Sequence, residues 1–72
     1  MDKQNTLDLS SAANDVLRQL FKNGPTWDGN LVSKVGRGEL VALDLAERYN
    51  GYQWLTMKGV QYALNILKLD KS

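Results

Sequence analysis

The sequence predicts a small α+β domain of three helices and a two-stranded β-hairpin, with room for one extra short helix. Three observations carry this. Asn50-Gly51 is the strongest short-range hairpin signal, because a type I′ turn needs positive φ at both central residues and Asn and Gly tolerate that best. Ala46-Glu-Arg-Tyr49 and Tyr52-Gln-Trp-Leu55 flank the turn as short strands bearing aromatic residues. Apolar residues recur at three- and four-residue spacing both before and after this hairpin, as amphipathic helices require.

All 72 residues are expected to form one domain, with polar residues 1–6 frayed and residues 70–72 a tail. Leu7 and Leu9 are expected to tuck against the body, with Asp8, Ser10 or Ser11 capping the first helix. That helix spans about residues 11–22, where Ala13, Val16, Leu17, Leu20 and Phe21 form the buried stripe and Asn14, Asp15, Arg18, Gln19 and Lys22 the wet side. Asn23-Gly24-Pro25 ends it, through a left-handed cap and a proline that forbids continuation. Residues 26–30 read as a connector, and residues 31–34 allow one helical turn. A second helix runs from Ser33 or Lys34 to Leu43, with Leu40 and Leu43 inward, although Gly36 and Gly38 each weaken it by roughly 1 kcal/mol relative to Ala. Asp44 sits where the chain leaves the helix, a position suited to a left-handed residue. Across the hairpin Ala46 faces Leu55, and this pair is assigned to the core face. Thr56 caps a last helix ending near Leu69, with Met57, Val60, Leu64 and Leu67 on one stripe widened by Ala63 and Ile66.

Composition removes whole classes of function. The chain is 43% hydrophobic and 24% charged, which suits a globular domain rather than a disordered one. It has no cysteine and no histidine, which removes disulfides, thiol catalysis, the usual zinc sites and imidazole bases. Gly36-Arg-Gly38 lacks the spacing and the Lys-Ser/Thr of a phosphate-binding loop. Glu39, Asp44 and Glu47 are expected on an open surface with no pocket for paired-carboxylate chemistry, so no enzyme, cofactor or metal is expected. No apolar run is long enough to span a membrane, and the N-terminus lacks the apolar core of a secretory signal. A cytoplasmic protein is the expectation. The formal net charge of +1, from nine Lys/Arg against eight Asp/Glu, is lower than a dedicated nucleic-acid binder usually carries.

The element order, together with two stretches, resembles the winged helix-turn-helix family. Leu40-Val-Ala-Leu-Asp-Leu-Ala-Glu-Arg48 is similar to the segment joining recognition helix to wing, and Trp54-Leu-Thr-Met-Lys-Gly59 to the strand-to-helix step after it. Residues 24–59, including Asp28-Gly-Asn-Leu-Val-Ser-Lys-Val-Gly-Arg-Gly-Glu-Leu40, also resemble small phage- and prophage-encoded proteins. Two departures stand out: the segment between Pro25 and Ser33 is short for a positioning helix, and Asp44 stands where the family commonly has Gly.

The resemblance implies DNA binding by a transcriptional regulator or accessory factor, as a dimer or with a larger partner. Ser33 and Lys34 would meet phosphate, Arg37 would fork onto guanine, and Arg48 and Gln53 on the wing would reach the minor groove or phosphates. Gly36 and Gly38 would let the backbone come close. The plainer reading makes Lys34, Arg37 and Arg48 solvated charges balanced by Glu39, Asp44 and Glu47. The alternative function is a protein-interaction module using Tyr49, Tyr52 and Trp54, since Tyr and Trp offer large contact area at low entropy cost. Plain cross-strand packing, with Trp27 covering the core, also accounts for those rings. Homodimerisation through the same aromatics is a third possibility. Met57 and Tyr62 are expected in the core or at its boundary.

Overall fold

The computed structural model describes residues 9–69. The expectations for residues 1–6, Leu7, Asp8 and residues 70–72 lie outside the described residues. The elements follow one another as α1 (Ser11–Asn23), β1 (Thr26–Trp27), a single 3-10 turn η1 (Asp28–Asn30), α2 (Lys34–Ala42), β2 (Ala46–Tyr49), β3 (Tyr52–Leu55) and α3 (Met57–Asn65). The strands form one antiparallel sheet in the order β1-β3-β2. Three helices with a small sheet ending in a hairpin wing make this a winged-helix-like α+β fold.

Each helix starts on a hydroxyl that satisfies an otherwise unpaired backbone N–H. Ser10 Oγ accepts from Ala13 N–H, Ser33 Oγ from Gly36 N–H, and Thr56 Oγ1 from Gly59 N–H. α1 ends where Gly24 takes φ 77° and its N–H reaches Leu20 O. α2 ends just before Asp44, whose φ of 63° turns the chain into β2. The hairpin turn has Asn50 at φ 54° and Gly51 at φ 82°, as a type I′ turn demands. The register pairs Ala46 with Leu55, Glu47 with Trp54, Arg48 with Gln53 and Tyr49 with Tyr52, as the two-residue turn dictates.

The core forms where α1 and α2 cross over the inner face of the sheet. Ala13, Val16, Leu17, Leu20 and Phe21 of α1 pack with Leu40, Leu45, Ala46 and Ala63. Leu9, Leu31, Leu43, Leu55, Val60, Tyr62 and Leu67 close its edges. Two glycines make the packing possible. A Cβ at Gly36 would collide with the backbone of Ala12, and one at Gly59 with the carbonyl of Leu45. The close approach of Gly36 is therefore to α1 and not to an external backbone, a correction to the expectation from sequence.

Four further differences have physical causes. Thr26 and Trp27 are a third strand, pairing with Gln53 and Tyr52. The short helical turn falls at Asp28–Asn30 (η1) and not at residues 31–34; it is clamped by Gln19, whose Nε2 donates to Asn30 O and whose Oε1 accepts from Val32 N–H, so Gln19 is not on a wet face. α3 ends four residues earlier than expected. Lys68 takes φ 58° and folds the chain back, so that Leu69 N–H donates to Ala63 O. Finally, Met57 is 73% exposed and Leu64 43%, so the α3 stripe is only partly buried.

A polar strap joins the start of α1 to α2. Ser10 donates through its backbone N–H to Glu39 Oε2 at 3.1 Å and through its hydroxyl to Oε1 at 2.6 Å. Both bonds favour the carboxylate, the hydroxyl bond most, and hold the Glu39 pKa below its ordinary value. A lowered folded-state pKa gives stability that is present above the ordinary glutamate range, about pH 4.3, and is lost as pH falls through the folded value. Glu39→Gln is expected to melt below the wild type at pH 7, with the gap closing on acidification. A pH series of thermal melts checks this.

Candidate interaction surface

The parity of the hairpin divides its side chains between two faces. Ala46, Arg48, Gln53 and Leu55 point toward the helices. Glu47, Tyr49 and Tyr52 point away from them, joined by Trp27, which pairs with Tyr52; Trp54 shares their parity but lines a groove with residues of α1 and α3.

The inner face holds a polar node built around Asp28. Arg48 Nη2 lies 2.9 Å from Asp28 Oδ2, with the Asp28 side chain 13% exposed. Arg37 Nη1 donates to Asp28 O at 2.7 Å, and Gln53 Nε2 donates to Arg37 O at 3.1 Å. The Asp28 N–H in turn donates to Gly51 O in the wing turn at 2.8 Å. One 3-10 turn, one helix and two strands are thereby tied together by two guanidinium groups and the Gln53 amide.

The residues expected to meet DNA fare differently in this arrangement. Gln53 is 0% exposed and cannot reach a ligand outside the fold. Its position opposite Arg48 on the face shared with Ala46 and Leu55 buries it. Arg37 is half-buried and spends a donor inside the fold. Arg48 is exposed but ion-paired with Asp28, and not with the acids expected from sequence; Glu39 is bound to Ser10 instead. Ser33 is the half-buried cap of α2. Lys34 is exposed at the first turn of α2. The outward face of that helix continues with Val35, Gly38, Val41 and Ala42, all exposed. It offers few hydrogen-bond donors to base edges.

The outer face of the sheet is aromatic and open. Trp27 is 48% exposed, Tyr49 70% and Tyr52 48%, so Trp27 flanks the wing rather than covering the core. Trp27 and Tyr52 meet edge to face, with ring centroids 5.5 Å apart and planes at 68°, a favoured aromatic geometry. The Trp27 indole also packs over Gly29 and Gly51, where an added Cβ would strike it. These contacts and the Asp28–Gly51 bond fasten the wing tip to η1, so the aromatic rings stand on a braced surface. Trp54 is half-buried and forms one wall of an apolar groove of about 320 Å³ with Leu20, Phe21, Leu55, Val60 and Leu64. Trp27 was readable as an aromatic residue, but only strand β1 places it beside Tyr52.

Among the described residues no group of three or more acidic side chains is placed to hold a metal ion. No described helix is long and apolar enough to cross a membrane. No family model, curated protein or solved structure matches the chain.

Proposed function

We propose that this chain is a winged-helix protein-interaction module that grips another protein through the aromatic outer face of its wing. The observation that carries this is the exposed set Trp27, Tyr49 and Tyr52, of which Trp27 and Tyr52 brace each other edge to face, beside a DNA-reading set in which Arg37 donates inside the fold and the exposed Arg48 is ion-paired with Asp28. Exposed, preorganised Tyr and Trp suit a protein interface, because little side-chain entropy remains to be lost on binding. The likeness of residues 28–40 to small phage and prophage proteins, and the absence of cysteine, support an accessory role in a cytoplasm.

A second copy paired along the open edge of β2 is disfavoured. Two-fold antiparallel pairing keeps each face of the sheet on its own side. The two registers of fullest overlap therefore set Glu47 against Glu47 or Arg48 against Arg48, and directly opposed like charges destabilise a pair.

In-cell photo-cross-linking from a photoreactive phenylalanine at position 49 tests the proposal. Discrete protein adducts are expected from position 49 and not from position 34. Their absence, or nucleic-acid adducts at position 34 alone, would overturn it.

A second reading is DNA binding as a transcriptional regulator or accessory factor, as a dimer or with a larger partner. Lys34, exposed at the N-terminal turn of the helix in recognition position, is the observation in its favour, with Ser33 capping that helix, Arg37 within it and Arg48 on the wing. Binding to random duplex DNA at low salt is the measurement for this reading.

A further inference from the structure

We propose that the groove between the C-terminal half of α1 and α3 docks an acidic amphipathic helix of another protein. This rests on the reading of the chain as a protein-interaction module and gives its partner a chemistry. The groove, about 320 Å³, is walled by Leu20 and Phe21 of α1, Trp54 and Leu55 of β3, and Val60 and Leu64 of α3. Gly24 and Pro25 also line it. Its volume falls at the lower end of ordinary ligand sites. The apolar surface runs on past the groove, since Leu64 is 43% exposed and Met57 on the same α3 stripe 73%. Through Trp54 it is continuous with the aromatic outer face of the sheet.

The backbone bordering the groove selects a helix over an extended peptide. Added strands need an open sheet edge with free N–H and C=O groups. Here the bordering strand is β3, the middle strand of the sheet. Beside it stands Pro25, which has no N–H to give. A helix needs neither, because it satisfies its own backbone and offers apolar side chains at i, i+4 and i+7.

Charge selects an acidic helix. The segment from Val16 to Trp27 contains Arg18 and Lys22 and no Asp or Glu; the segment from Tyr49 to Leu69 contains Lys58 and Lys68 and no Asp or Glu. Lys58 lies 3.4 Å from Leu43 O, which leaves Arg18 and Lys22, exposed on the helix that carries Leu20 and Phe21, and the exposed Lys68 beyond α3. Of the acids of the described residues, Glu47 alone is paired with a groove residue, standing across the hairpin from Trp54; Asp15 lies in the first half of α1, Asp28 in η1, Glu39 in α2 and Asp44 after it. An acidic partner is steered to this side, and a basic one is repelled.

The test uses the full chain and two synthetic peptide helices with the same leucine stripe. One carries glutamates on its polar face and the other lysines. Backbone amide shifts are followed by NMR. The acidic peptide is expected to bind at least tenfold more tightly at low salt, with the gap closing as salt rises. Shifts should centre on Leu20, Phe21, Leu55, Val60 and Leu64. Leu64→Glu, at a half-exposed position where circular dichroism can verify folding, should abolish binding. The double variant Arg18→Glu/Lys22→Glu should reverse the preference between the peptides. Equal binding of the two peptides, or shifts confined to Tyr49 and Tyr52, would overturn the proposal. So would a concentration-dependent dimer of the free chain that Leu64→Glu dissolves, since the occupant would then be a second copy. If position 49 still yields protein adducts while the peptides bind equally, the groove proposal alone has failed.

Discussion

Gly36→Ala is expected to cost this domain roughly 3 kcal/mol or more, and Gly38→Ala, two residues along the same helix, to stabilise it. At Gly36 the new methyl would collide with the backbone of Ala12 in α1, and no side chain stands between the helices to give way. α1 and α2 would have to separate, opening the contacts among Ala13, Leu17 and Leu40, all of them 0% exposed. Small domains have little stability in reserve, so the melting temperature should fall by roughly 15 °C or more. A Cβ at Gly38 meets nothing within 4 Å, so alanine brings only its better helix propensity, up to about 1 kcal/mol. Paired thermal melts read both signs. A mild effect at Gly36 would mean that α1 and α2 pack further apart than described.

Gly51→Ala is expected to cost roughly 2–3 kcal/mol, from two sources that add at one site. A non-glycine residue in the left-handed region pays about 1–2 kcal/mol, and Gly51 has φ 82°. The added methyl would also strike the Trp27 indole, displacing it from the wing turn and from its edge-to-face contact with Tyr52, a pair worth about 0.5–1.5 kcal/mol. The loss should appear as a lower melting temperature together with a red-shifted, more solvent-quenched tryptophan emission. Strain alone would lower the melting temperature and leave the emission unchanged, and that result would contradict the braced wing.

Much of the fold is legible because local chemistry dictates it. Ser10, Ser33 and Thr56 each precede a helix and cap it. Asn50-Gly51 fixes the turn, and a two-residue turn then fixes every cross-strand partner. Asp44 could be assigned a left-handed conformation from its place between helix and strand. Strand β1 was not legible, since two residues carry no alternation and their partners lie far along the chain, Thr26 with Gln53 and Trp27 with Tyr52.

The site was less legible than the fold, for two different reasons. Gln53 was within reach of the sequence: once Ala46 and Leu55 are placed on the core face, alternation puts Arg48 and Gln53 there too. A polar side chain suggested exposure, but the direction of the pleat decides its burial. The Asp28 node was out of reach, because it depends on where a 3-10 turn lands against the wing. Charge spacing along the chain pointed to Glu39, Asp44 and Glu47 as the partners of the cations. Three-dimensional placement gives Asp28 to Arg48 and Ser10 to Glu39.

Equilibrium binding to random duplex DNA across a range of salt concentrations tests most directly whether the cations near α2 and the wing are committed within the fold. Each phosphate neutralised contributes roughly −0.9 to the slope of log affinity against log salt. With Arg37 and Arg48 bonded to Asp28, the chain is predicted to bind weakly, with a slope of about −1 or shallower. A slope of about −3 or steeper that flattens in Lys34→Ala and Arg48→Ala would contradict that prediction and make DNA the partner.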